Sequence, residues 1–332
     1  MSRLYSAEFI NGYFEDPGLF VSFLFQKRAI LFDLGDIHAL SEKNILKIER
    51  IFITHTHIDH FAGFERLIRI MLGRDKKVYL YGPKGFIKNV EGKLAGYNWN
   101  LIKKYKNNFE INVYEILDKT ILSRKYICNM AFEPIILPDK PFNCGEIIFE
   151  DDNIIIKAAI LDHGIECLGF SMEEKFRVNI IKEALEKLGV EKGRWLAEFK
   201  QNLIKKISGK KYNDKISADN KLFDIEELAE KIAKINFGEK LAYISDVRYT
   251  KENINTILPL AQNANNLFIE AVFAHVDNDL AALKNHLTAK QAGKIARLAK
   301  AKKISVFHFS PRYKNQEDLL INEAASQFNR NR

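Results

Sequence analysis

Thr54-His55-Thr56-His57-Ile58-Asp59-His60 gathers three imidazoles and a carboxylate into six consecutive residues, 55–60. The apolar run before it, 51–54, reads as a strand, and Phe61, Phe64, Leu67, Ile68 and Met71 after it have the spacing of a helix over 61–72. In an extended segment alternate side chains share a face, so His55 and His57 are expected to point together into one site. The turn into the helix would aim Asp59 and His60 at a second position beside the first. Imidazole and carboxylate donors suit zinc, and manganese or iron as well. A single histidine is usually a packed or surface residue. Three with an aspartate, placed where a strand ends, are hard to account for by packing.

Further donors are expected where other apolar strands end. His163 follows a strand at 154–161, Asp246 follows one at 241–245, and His308 lies within one at 304–309. Taken together they complete two sites: His55, His57 and His163 on one metal, Asp59, His60 and His308 on the other, with Asp246 bridging. Two metals about 3.5–4 Å apart clamp a phosphate and activate a water for in-line attack. Asp33, which follows a strand at 29–32 and precedes Gly35, either orients a ligand histidine or is a turn aspartate. Ser310 and Arg312 directly follow His308 and suit a substrate phosphate, since an arginine fork matches its oxygens. His38 and His275 receive no role.

The surrounding pattern alternates β-rich runs (19–25, 29–32, 78–81, 168–172, 267–271) with helical stretches, including 289–301, which Thr288 can cap. Sheets covered by helices are therefore expected, an α/β fold in a single domain over 1–332. One stretch differs. Residues 173–240 read as mostly helical, with few strand signals, and within the candidate insertion, 171–240, the stretch 171–215 carries Lys175, Arg177, Lys182, Lys187, Lys192, Arg194, Lys200, Lys205, Lys206, Lys210, Lys211 and Lys215, with Trp195 and Phe199 among them. This is either an arm-like insertion or a solvated helical face.

With 332 residues, 47% hydrophobic and 28% charged, the composition is that of a globular protein. No apolar run is long enough to span a bilayer, and the N-terminus shows no secretory signal. Cys128, Cys144 and Cys167 are odd in number and far apart, so a reducing, cytoplasmic setting is expected, with each cysteine a small buried hydrophobe. The formal net charge of +8 favours polyanionic partners.

The histidine motif, the order of the donors and their strand-end placement resemble the metallo-β-lactamase superfamily. Three stretches narrow the resemblance to its ribonuclease Z branch, the endonucleases that cut tRNA precursors at the 3′ side: His308-Phe309-Ser310-Pro311-Arg312-Tyr313, His286-Leu287-Thr288-Ala289, and Leu168-Gly169-Phe170. Tyr81-Gly82-Pro83-Lys84-Gly85 also fits. The resemblance implies an αββα sandwich, two zinc ions per chain, a homodimer, and an arm that grips tRNA. It implies that His286 protonates the leaving oxygen with Glu270 supporting it, and that Asp59 orients the attacking water. The alternative for His286 is a surface histidine at a helix start. The sequence departs from the branch where a Gly-Glu-Gly-Thr run becomes Gly35-Asp36-Ile37 after Asp33-Leu34. It departs again where His-Glu-Ala-Thr becomes Ile269-Glu270-Ala271-Val272, and where the arm's Gly-Pro becomes Gly193-Arg194.

The expected function is thus a metal-dependent phosphodiesterase acting on precursor tRNA. A small-molecule phosphodiesterase, such as a cyclic-nucleotide hydrolase, would share every metal donor. An RNA-binding relic of the fold would have no need of seven of them.

Overall fold

The computed structural model describes residues 4–330 apart from Phe25 and the side chain of Lys103. Met1, Ser2 and Arg3, the start of the segment read for a secretory signal, lie outside the described residues, as does Phe25 at the end of the strand expected over 19–25. That strand is observed as Leu19–Phe23.

The chain forms two compact units. The larger comprises Tyr5–Ile148, Lys157–Ser171 and the chain from Leu241 onward; the smaller is drawn mainly from Phe149–Ile156 and Met172–Lys240.

Two sheets organise the larger unit. The first has eight strands in sequence order, Tyr5–Phe9, Leu19–Phe23, Ala29–Phe32, Ile48–Phe52, Lys76–Gly82, Phe109–Ile116, Thr120–Ile127 and Pro134–Pro141. Its central pairings, from Ala29–Phe32 to Phe109–Ile116, are parallel. The second runs in the order Ile304–Phe307, Asn266–Glu270, Lys240–Ile244, Glu166–Glu174, Ile154–Asp162, Ile147–Glu150, with its first three strands parallel. Large aromatics fill the space between the sheets: Phe32 lies 5.8 Å from Phe170 and 5.5 Å from Tyr243, centroid to centroid, and Phe52 lies 5.6 Å from Phe170. Burying rings of this size is the largest apolar contribution such an interface offers.

Helices cover the two outer faces. Phe64, Leu67, Ile68 and Met71 of the helix Phe64–Met71, with Phe86 and Val90 of Phe86–Ala95, pack in one core with Ile51, Val78, Leu80 and Ile111 of the first sheet. Ile257 and Leu260 of Lys251–Ala261, Ala292 and Ile295 of Ala289–Leu298, and Leu320 and Ala324 of Glu317–Asn329 form the second core with Ala242, Ile244 and Ile269. This is the expected αββα arrangement. Thr288 caps its helix as expected, accepting from Gln291 N at 3.3 Å while Gln291 Oε1 accepts from Thr288 N at 2.9 Å.

Several expectations need correction. The helix placed at 61–72 begins three residues earlier, as Ile58–Phe61, and breaks before resuming at Phe64–Met71. The strand carried to residue 309 ends at Phe307, and His308 has already turned to φ 63°. Residues 171–240 are less helical than expected: with the helices Lys182–Lys187, Trp195–Ile207 and Ile225–Ile232 come the hairpin strands Lys215–Ala218 and Lys221–Asp224, and Phe176–Ile180 paired with Ala233–Phe237. These strands are only four or five residues long, too short for an alternation to stand out from the helical stretches around them. Phe199 is fully buried in the core of this unit with Leu203, Ile225 and Leu228, and Trp195 packs beside it. Lys175 pairs with Glu150, Lys206 with Glu226 and Lys210 with Asp152, so part of its basic charge is answered locally. Cys128 and Cys167 are buried, but Cys144 is exposed, contrary to the reading of all three as buried hydrophobes.

Candidate metal centre

The loop after Ile48–Phe52 carries the quoted motif. Ile53 N donates to Tyr81 O at 2.8 Å, prolonging the sheet by one bond. The chain then turns on Asp33, which is fully buried and sits in the left-handed region at φ 56°. Asp33 Oδ1 accepts from Thr54 N at 2.7 Å and Thr54 Oγ1 at 2.9 Å. The strand expected to run through residue 54 has ended by then, so His55 and His57 project from a loop rather than from one strand face. They still converge, with Nε2 of His55 2.9 Å from Nδ1 of His57. His57 is extended (φ −63°, ψ 156°) and stands at the N-cap of Ile58–Phe61, which lifts Asp59 and His60 to the other side. Leu34 N bonds to His60 O and Gly63 N to Leu34 O, both at 2.9 Å. A Cβ on Gly35 would collide with the Asp59 carbonyl, and one on Gly63 with the Gly35 carbonyl. The close approach that seats this helix therefore requires glycine at both positions.

The remaining donors stand at strand ends of the second sheet. His163 follows Ile154–Asp162, Asp246 follows Lys240–Ile244 by two residues, and His308 follows Ile304–Phe307. Their donor atoms form one group of His55, His57, His163 and Asp246, and another of Asp59, His60 and His308. Asp246 touches both: Oδ2 lies 3.7 Å from His55 Nε2, 3.5 Å from His163 Nε2 and 3.6 Å from His60 Nε2, while Oδ1 lies 3.2 Å from His308 Nε2. Asp59 Oδ2 lies 3.4 Å from His60 Nε2 and 3.6 Å from His308 Nε2. Ligands about 2.0–2.1 Å from a tetrahedral ion stand roughly 3.4 Å apart, so these separations suit such an ion.

The chemistry of the donors fits a cation too. His60 Nε2 is buried without a hydrogen-bond partner, while Nδ1 of the same ring faces Asp33 Oδ2 at 3.0 Å. His163 Nδ1 faces Asn285 O at 2.8 Å, which fixes the tautomer and leaves Nε2 a lone pair toward Asp246. Burial, together with the neighbouring His60, pushes the His55 imidazole down to about 2, so it is a neutral donor. Burial alone would raise the Asp246 carboxyl, but His308 and His60 outweigh it and hold the group well below the usual carboxylate range. Asp33 thus orients a candidate ligand histidine, and its turn geometry serves that end.

Beside these groups stands His286. Its Nδ1 lies 3.2 Å from Glu270 Oε2 and 3.3 Å from Oε1. Glu270 is fully buried and also accepts from Val247 N at 2.7 Å and Leu287 N at 3.2 Å, so both of its oxygens are engaged. Burial lowers the His286 imidazole, yet the Glu270 carboxylate outweighs it and holds it up at about 9. Asp246, Glu270 and His286 are close enough to form a third donor group. Both Glu270 oxygens, however, already accept backbone N–H groups and face the His286 ring.

A cleft of about 690 Å³ opens over these groups, lined by His57, Asp59, His163, Asp246, His286 and His308 among others, with His55, His60 and Glu270 buried behind it. Ser310 lines it as well. Arg312 is not among the lining residues; its Nη1 pairs with Asp277 Oδ2 at 3.2 Å, and its guanidinium lies 5.9 Å from the Phe273 ring centroid. His38 pairs with Asp36 at the surface. Arg248 and Asn285, assigned no role from the sequence, also line the cleft. An asparagine directly before a histidine at a helix start was the available signal.

No family model matches the chain. It is 32% identical over 308 residues to the ribonuclease Z of Borreliella burgdorferi, covering 89% of this chain and 81% of that protein. Among solved structures it is similar to the short form of human tRNase Z, with a TM-score of 0.54, 17% identity, and 93% of each chain covered. It is likewise similar to the metallo-β-lactamase fold protein YhfI of Bacillus subtilis, with a TM-score of 0.54, 16% identity, and 97% and 92% covered.

Proposed function

This chain belongs to the ribonuclease Z family, and from that premise we propose that it is a tRNA 3′-processing endonuclease working with two divalent cations, zinc by donor type. The observation that carries the reading is the position of Asp246 within 3.7 Å of histidines from both donor groups, with His286, backed by Glu270, alongside on one cleft. His55, His57 and His163 would hold one cation, and Asp59, His60 and His308 the other, with Asp246 between them. When bound, the cations supply charge to the phosphate oxygens and acidify a water. Manganese or iron would meet the same donors.

The chain's own groups divide the remaining work. Asp59, which reaches both His60 and His308, orients the attacking water. The cleaved ester leaves as an alkoxide and needs a proton. His286 carries one on Nε2, since its Nδ1–H is directed at Glu270, and a positioned imidazolium is a fit donor. Ser310, in the cleft wall, contacts the substrate phosphate, and Arg312 joins it on leaving Asp277. The net charge of +8 suits a long polyanion. The smaller unit, with the lysines of 171–240, serves as the arm that holds RNA away from the cut. The protein acts as a homodimer in the cytoplasm, where cysteines such as the exposed Cys144 stay reduced.

The deciding experiment incubates metal-loaded protein with precursor tRNA and with cyclic nucleotides in parallel. Cleavage of the precursor at its 3′ side is expected. Hydrolysis of the cyclic nucleotides with no cut in the precursor would replace this reading with that of a small-substrate phosphodiesterase.

A further inference from the structure

Arg248 is fixed from both ends at the cleft. Its backbone N donates to Asp162 O at 3.0 Å, and its carbonyl accepts from Nδ2 of the buried Asn253 at 2.9 Å. Its guanidinium donates from Nε to Asn285 Oδ1 at 2.7 Å and from Nη1 to Asp162 Oδ2 at 2.9 Å. Those bonds leave Nη2 over Gly164, 3.2 Å from where a Cβ on that residue would stand. Such a Cβ would also come within 2.7 Å of Asn285 Nδ2, and Gly164 has φ +86°. Glycine there makes room for both side chains.

Asn285 is the junction of this arrangement. Its carbonyl takes His163 Nδ1, its side chain takes Arg248, and the next residue is His286. It sits at φ 64°, a left-handed conformation that asparagine tolerates better than most residues. One residue therefore sets a candidate metal donor, the candidate acid and an arginine relative to one another. An exposed Arg–Asp pair by itself contributes little to stability. The bonds from Asn285 and Asn253 instead hold the guanidinium in one place on the cleft wall. Lys284, adjacent in the chain, adds a second cation to that wall, whereas Glu15 and Asp16 line the cleft from a different loop.

We infer that Arg248, steadied by Asn285 and Asp162, is a specificity-determining residue that takes the phosphate next to the scissile one on the leaving-group side. Its partner Asn285 directly precedes the group that would protonate the leaving oxygen, and both line the same cleft, which puts Arg248 on the path of the strand that carries that oxygen. An arginine fork is the side chain that best matches a phosphate there. The enzyme would then favour an RNA strand that continues beyond the cut over an isolated diester. This inference rests on the endonuclease reading above.

The test is a cycle between protein and substrate. The full-length, zinc-loaded chain and its Arg248→Gln variant cut a stem-loop RNA with a single-stranded 3′ tail. The RNA is either native or carries one neutral methylphosphonate at the linkage next to the cut on the leaving-group side. In the native protein the neutral linkage is expected to lower kcat/KM by about ten- to hundredfold, the value of a charge-assisted hydrogen bond. In Arg248→Gln the same change should cost less than about threefold, because the partner is already gone. Arg248→Lys, which keeps the charge without the fork, should fall between. Additive losses would overturn the inference, since an arginine that merely braces the loop affects both RNAs alike. Should Arg248→Gln melt early, the comparison of the two RNAs by Arg248→Lys and the native chain decides: an equal penalty in both overturns it. A native chain that cuts neither RNA removes the endonuclease reading, and the inference with it.

Discussion

The Tyr243 hydroxyl donates to Asp33 Oδ2 at 3.0 Å, joining the second sheet to the residue that orients His60 in the first. Both side chains are fully buried, and Asp33 takes Thr54 N and Thr54 Oγ1 as well. Asp33→Asn leaves the His60 Nδ1–H without an anionic acceptor and should weaken metal binding about ten- to hundredfold. Tyr243→Phe keeps the ring stacked between Phe32 and Phe307 and loses one bond to a carboxylate, about 1.5–3 kcal/mol of stability. Metal titration of the first and thermal melting of the second check this. Native affinity in Asp33→Asn would show that His60 needs no such partner.

About two metal ions per chain are expected by elemental analysis of fully loaded protein. His57→Ala and His163→Ala should each lose one of them, and Asp246→Ala should impair both. A native chain that never exceeds one ion counts against the shared arrangement.

His286→Ala should keep its metal and lose roughly 10²–10⁴-fold in rate, with partial recovery on a substrate whose leaving group needs no proton. The acid works protonated, so kcat/KM falls as pH rises through the His286 value, held up at about 9 by Glu270 against the effect of burial. Nearby cations would pull that limb lower, and Glu270→Gln should move it lower still. The same sign holds for stability: the pair's contribution is full below about 6.5 and is lost as pH rises through about 9. A pH–rate profile unmoved by Glu270→Gln would sink the assignment.

Removing residues 175–238 should be structurally tolerated. Glu174 N bonds to Glu239 O at 2.9 Å and Glu239 N to Glu174 Oε2 at 3.0 Å, so a short glycine–serine turn can join the two ends. The shortened chain is expected to keep its metals and a small diester activity, yet to cut precursor tRNA poorly and with a flatter salt dependence. Parental cleavage of precursor tRNA by a folded deletion variant would disprove the role given to this unit.

The donor set was legible because its residue types crowd into six positions and the others stand where apolar runs stop. The capping box at Thr288 was legible for the same reason, since a local bond leaves a local signature. The strands Phe109–Ile116 and Thr120–Ile127 went unread: Phe109, Ile111 and Val113 do alternate with Glu110 and Asn112, but the pattern then slips at Tyr114, and in the second strand adjacent Ile121-Leu122 and Arg124-Lys125 break it. Glu115 is there to accept Ile87 N at 2.9 Å, a tertiary bond that no spacing announces. Arg248 and Asn285 escaped notice because their partners lie 37 and 86 residues away along the chain. The end of the strand before His55 was misplaced because Asp33, not strand pairing, takes the backbone of Thr54.

The candidate centre draws His55, His57, Asp59 and His60 from the loop and short helix that follow Ile48–Phe52 of the first sheet, and His163, Asp246 and His308 from strand ends of the second. A cation held there would fasten the two halves of the sandwich to each other, and its concentration would then enter the folding equilibrium as a mass-action variable. An ion at a hundred times its dissociation constant stabilises the folded state by about 2.7 kcal/mol. The thermal midpoint of the protein then reports the free metal around it.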